Sequence, residues 1–72
     1  MKRIDKWNYA MELLKQNNIQ PSNKGLTINN NGHIVIHSKQ LRNCLIIEPQ
    51  ATKKTIKARV EMQVKIAKNC VA

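Results

Sequence analysis

The sequence predicts a small α+β domain of the order helix, strand, strand, strand, helix, with an antiparallel sheet covered by the C-terminal helix. Three observations carry this expectation. Gln50 to Ala72 repeats its apolar residues with a helical period, residues 26–37 hold two β-rich runs around Asn30-Asn31-Gly32, and Cys44-Leu45-Ile46-Ile47 is a short apolar run closed by Glu48-Pro49. Seventy-two residues make a single domain, 1–72, near the size at which one hydrophobic core only just offsets chain entropy. There is no Phe, and Trp7 and Tyr9 are the only aromatics, so the core is aliphatic and a homodimer is one way of reinforcing it.

The first helix is expected over about residues 4–18. Ile4, Trp7, Met11 and Leu14 recur at spacings of three, four and three, which lines them along one stripe. Trp7 on that stripe reads as core or dimer interface rather than as a platform for base stacking, while Tyr9 lies away from it and is expected to be partly exposed. Asp5 suits the positive end of the helix dipole, and Asn17-Asn18 followed by Pro21 ends the helix. Pro21 to Gly25 is a polar loop.

Strands are expected over about 26–29 and 33–37. A two-residue Asn31-Gly32 turn pairs Ile28 with Val35; a three-residue loop with Gly32 in the left-handed position pairs Ile28 with Ile34 and Leu26 with Ile36. The second register is preferred because it sets apolar against apolar on one face. Residues 44–47 form the third strand, a helical turn from Ser38 through Leu45 being the alternative that Ile46-Ile47 and Pro49 disfavour. The last helix, about 52–70, is the clearest element. Ile56, Val60, Val64, Ala67 and Val71 make its apolar arc, widened by Ile66 and Cys70, and Lys54, Lys57, Lys65 and Lys68 lie away from it, relieved only by Glu61.

Thirteen Lys and Arg against four Asp and Glu give a net charge of +9, which favours polyanionic partners, DNA or RNA before an anionic membrane surface. The charge is uneven: +3 over residues 1–24, +1 over 25–49 and +5 over 50–72. Ten Lys, nine Ile and nine Asn also fit the A/T-rich codon usage of some bacteria and phages. No apolar run resembles a signal peptide or a membrane span, and two cysteines without Cys-x-x-Cys spacing fit reduced, buried thiols, so a cytoplasmic protein is expected. Four scattered carboxylates and no glycine-rich phosphate loop give no catalytic constellation, no small-molecule substrate and no cofactor. His33 and His37 share a strand face but sit about 13 Å apart at roughly 3.3 Å per residue, too far to hold one metal, so no metal site is expected.

The functional expectation narrows to the start of the last helix. Lysines in a first helical turn oppose the dipole by something like 0.3–1 kcal/mol each at an exposed site. Lys53, Lys54 and Lys57 nevertheless crowd Thr52-Lys53-Lys54-Thr55-Ile56-Lys57, where open backbone N–H groups and ammonium groups together suit a phosphate. The competing reading is a set of solvated lysines tolerated behind a Thr52 cap. Here the chain resembles the double-stranded RNA-binding domain, a family with a helix, three antiparallel strands and a helix in about seventy residues. Its second helix opens with a Ser-Lys-Lys-x-Ala-Lys-like motif whose lysines grip phosphates. Thr52, Lys53, Lys54 and Lys57 match its polar positions, and Ile56 stands where the family prefers Ala. The chain departs from the family in keeping only Gly32-His33 of a Gly-Pro-x-His-like loop, in having Glu48-Pro49-Gln50-Ala51 before the second helix, and in packing that helix through Val and Ile.

The expected contacts to nucleic acid are therefore Thr52, Lys53, Lys54, Lys57, Lys65 and Lys68, joined by Lys2, Arg3 and Lys6 at the N-terminus. The alternative is a non-enzymatic interaction module that builds a homodimer or captures another protein through a strand edge or apolar stripe.

Overall fold

Two helices pack on one face of an antiparallel hairpin in the computed structural model, which describes residues 2–22 and 25–69. The elements are α1 (Arg3–Gln16), β1 (Ile34–Ile36), β2 (Leu45–Ile47) and α2 (Lys53–Asn69). The α+β class holds, with two strands rather than three. β1 and β2 pair with Ile34 opposite Ile47, Val35 opposite Ile46 and Ile36 opposite Leu45. Ile34, Ile36, Leu45 and Ile47 point into the core, and Val35 and Ile46 point out.

The expected strand over 26–29 is reduced to one bridge, Ile28 opposite Ile34. Val35 N–H donates to Thr27 O at 2.9 Å and Asn29 N–H to His33 O at 3.0 Å, but the ladder goes no further. The physical reason lies in burial. Leu26 and Ile28 remain 36% and 38% exposed, so no buried side chain holds the segment against β1. The preferred register is nonetheless the one found at the turn: Gly32 has φ +79°, donates to Asn29 O, and lets Asn29 Oδ1 accept from Asn31 and His33 N–H. The Leu26–Ile36 pairing does not form.

Val35 donating toward Thr27 also fixes what β2 presents to solvent. In an antiparallel ladder the pairs alternate, so Val35 and Ile46 are a non-hydrogen-bonded pair and the N–H and C=O of Ile46 point away from β1, along the outer edge. Ile46 is 43% exposed there. Residues 44–47 are extended, and the helical-turn alternative is not adopted. The connection before them is tied to the end of α1 by two side chains: the Gln40 amide accepts from Gln20 N–H at 2.6 Å and donates to Asn18 O at 2.9 Å, and the Ser38 hydroxyl donates to Gln20 O at 2.9 Å.

α1 ends in a Schellman motif. Asn18 adopts the left-handed conformation (φ 61°), its N–H reaches Lys15 O, and Ile19 N–H reaches Leu14 O at 2.9 Å while both apolar side chains are buried. The buried line of α1 is Lys6, Ala10 and Leu14, not the Ile4, Trp7, Met11 and Leu14 stripe. Trp7 and Met11 flank that line on one side and Tyr9 and Leu13 on the other, all partly buried, and Ile4 is exposed. Ala10 lets the backbones approach, and the aliphatic stem of Lys6 covers apolar surface that its position would otherwise leave to a larger apolar residue.

α2 buries Ile56, Val60 and Val64 as expected, with Ala67 partly buried; Cys70 and Val71 lie outside the described residues. It packs on β2 and along α1. Among the described residues, seven large side chains are fully buried, Leu14, Ile34, Ile36, Leu45, Ile47, Ile56 and Val60. At about 1.5–3 kcal/mol for burying each, losing one removes a large share of the net stability of so small a domain.

Candidate nucleic-acid interface

The start of α2 is built by the turn before it. Pro49 occupies the second position of a turn closed by Ala51 N–H on Glu48 O at 3.0 Å, and buried Ala51 anchors the entry to the helix. Thr52 caps it: Thr55 N–H donates to Thr52 Oγ1 at 3.3 Å, and Ile56 N–H to Thr52 O at 2.9 Å. The N–H groups of Lys53 and Lys54 have no partner among the described residues and face outward at the positive end of the helix.

α1 and α2 run side by side in the same direction. At one end the Lys6 ammonium donates to the Pro49 carbonyl and Lys53 Nζ stands 5.6 Å over the Tyr9 ring. At the other, Asn17 shares a shallow groove with Val64, Lys65 and Lys68. Lys2 and Arg3, exposed at the start of α1, thus share one end of the molecule with the start of α2.

Along α2, Lys53, Lys54, Lys57, Lys65 and Lys68 fall within an arc of about 120° at about 100° per residue, and extend about 22 Å at about 1.5 Å per residue. All five are exposed. Glu61 is the one acidic residue within that arc. The only ion pair among the described residues joins Glu48 to Arg59, which lies on another side of α2 from the arc, and the five lysines are left without a carboxylate partner.

Eight of the nine expected contact residues are thus at the surface, and one is not. Lys6 is 8% exposed and its ammonium is engaged with the Pro49 carbonyl, so it braces α1 against the turn that launches α2 instead of facing a ligand. Tyr9 is the residue that sequence reasoning missed: a cation–π contact holds Lys53 toward α1. Nothing in the sequence signalled it, since Tyr9 lies away from the apolar stripe and far from Lys53 along the chain. Trp7 is partly buried with its Nε1 shielded from solvent, so it offers no stacking platform.

No group of three His, Cys, Asp or Glu side chains comes together to hold a metal among the described residues, and no described helix is long and apolar enough to cross a membrane. Comparison with protein families, with curated proteins and with solved structures finds no match to this chain.

Proposed function

We propose that the protein binds nucleic acid, without catalysis, through phosphate contacts from the lysine arc of α2 and from Lys2 and Arg3. The observation that carries this reading is the arc itself, five exposed lysines without carboxylate partners beginning at a helix end with two open N–H groups. Stability alone favours another arrangement, because first-turn lysines oppose the dipole and lysines three or four residues apart repel. Lysine is a point charge that grips phosphate without reading base edges, so the contacts position a duplex but do not select its sequence. With Trp7 turned inward and Tyr9 beneath Lys53, no aromatic stands ready to stack bases, which favours a duplex over a single strand. The Thr-Lys-Lys-x-x-Lys helix start resembles that of the double-stranded RNA-binding domain, and the shortening of the first strand to a bridge is a further departure from that family.

The test is equilibrium binding to duplex RNA, duplex DNA and single strands from 50 to 200 mM salt. Affinity should fall linearly on logarithmic axes as salt rises. Absence of binding at low salt, or binding insensitive to salt, overturns the proposal. A second reading, a protein-interaction or homodimerisation module, is favoured by one observation, the outward N–H and C=O of Ile46 on the edge of β2. Light scattering tests it: a strict monomer at high concentration counts against self-pairing.

A further inference from the structure

The pairing of β1 with β2 has a chemical consequence at the mouth of their connection. Beyond the last pair, Ile36 with Leu45, the chain sets His37 opposite Cys44, and Cys44 Sγ lies 3.0 Å from His37 Nδ1. Strand alternation puts both on the outer side of the sheet with Val35 and Ile46. Cys44 was expected as a buried apolar group; it is half-buried, and His37 is exposed. The pair borders a cleft of about 290 Å³ that Lys39 and Arg42 also line. A thiol is a weak hydrogen-bonding group, so a structural role gives little reason for an imidazole on its sulfur. The same contact is what proton removal from a thiol requires, and neighbouring cations favour both a sulfur anion and an anionic reagent.

The geometry points to Cys44 as a reactive thiol that exchanges with small disulfides carrying carboxylates, with His37 as its base and Lys39 and Arg42 receiving the reagent. With the ring proton on Nε2, His37 Nδ1 takes the proton of Cys44. Sγ then attacks one sulfur of the disulfide along the S–S axis. A new Sγ–S bond forms as the old S–S bond breaks, the departing thiolate takes the proton held on His37 and leaves as a thiol. Cys44 is oxidised to a mixed disulfide and half of the reagent is reduced, so the small disulfide is the only oxidant needed.

The experiment uses the full chain carrying Cys70→Ser, so that Cys44 is the sole thiol, and follows mixed-disulfide formation at pH 7 by mass spectrometry. Glutathione disulfide, which is anionic, is compared with cystamine, which is cationic. An ordinary thiol is about 3% ionised at this pH, so activation is capped at about 30-fold over free cysteine. Cys44 should react several-fold faster than free cysteine with glutathione disulfide and prefer it over cystamine. His37→Asn should remove the acceleration, and Lys39→Gln with Arg42→Gln should remove the preference. Repeating the measurement in denaturant, which needs no variant, should abolish both effects. Reaction at the rate of free cysteine, preference for cystamine, or rates unchanged by His37→Asn or by denaturant overturn the assignment.

Discussion

Replacing Lys54 and Lys57 with Gln separates the phosphate reading from a purely structural one, because binding and stability should move in opposite directions. Each phosphate neutralised on B-DNA contributes about −0.9 to the slope of log affinity against log salt. The five lysines of the arc together with Lys2 and Arg3 set that slope at about −6.3, a loss of roughly 6000-fold between 50 and 200 mM salt. With Lys54 and Lys57 removed, the slope should relax to about −4.5 and the loss to roughly 500-fold. The fold should meanwhile gain slightly. Lys54 opposes the dipole in the first turn of α2, both lysines are exposed, and neither has a carboxylate partner to lose. The double variant should therefore bind more weakly and melt a few degrees higher. Lys6→Met is the control. Its ammonium faces the Pro49 carbonyl, so the salt slope should stay at the parental value while the melting temperature changes. Fluorescence anisotropy over a salt series, paired with thermal melts by circular dichroism, reads both quantities. An unchanged slope in the double variant, or a slope that relaxes in Lys6→Met, refutes the assignment of the arc as the contact surface.

Three further outcomes test the fold that carries the arc. Ile56→Val removes one methylene from a fully buried site and should cost about 0.5–1.5 kcal/mol, seen in denaturant melts as a lower midpoint at unchanged slope. Asn18→Ala should cost about 1–2 kcal/mol because Asn18 is left-handed, whereas Asn18→Gly should match or exceed the parent. Gln40→Glu sets a carboxylate oxygen against Asn18 O where an N–H now donates, and should cost about 1 kcal/mol at neutral pH. Only the protonated carboxyl restores a donor, so the folded state binds that proton more tightly than the unfolded chain. The deficit should therefore shrink as pH falls toward the ordinary glutamate value of about 4.3 and be gone below it, which melts at pH 3 and pH 7 will show.

What was legible in the sequence followed the strength of the local pattern. α2 carries Ile56, Val60 and Val64 at an uninterrupted helical period, and its core face was as expected. Gly32 fixed the turn register because only a residue at ease with positive φ closes that loop. In α1, apolar side chains flank both sides of the true core line, and weighting by hydrophobicity selected one flank while missing that Ala10 and the stem of Lys6 occupy the middle. The strand over 26–29 looked sound because Leu26 and Ile28 alternate correctly, but alternation shows only which face a residue would bury, not whether another element reaches far enough to cover it. At the candidate site, the lysines of α2 were readable from composition and period. The engagement of Lys6 and Lys53 was not, since each contact joins α1 to a segment more than forty residues away.

The open edge of β2 bears on how the protein behaves at high concentration. A strand whose central Ile46 is exposed and whose outward N–H and C=O find no partner among the described residues is a template on which another copy of the chain can add, in register or out of it. What opposes this is not a local gatekeeper, since Ile46 stands between Leu45 and Ile47, but the mutual repulsion of chains that each carry +9. That repulsion reaches about 10 Å at 0.1 M salt and about 3 Å at 1 M. Salt therefore strips the chain's defence against self-adhesion, and colloidal stability is greatest in dilute buffer.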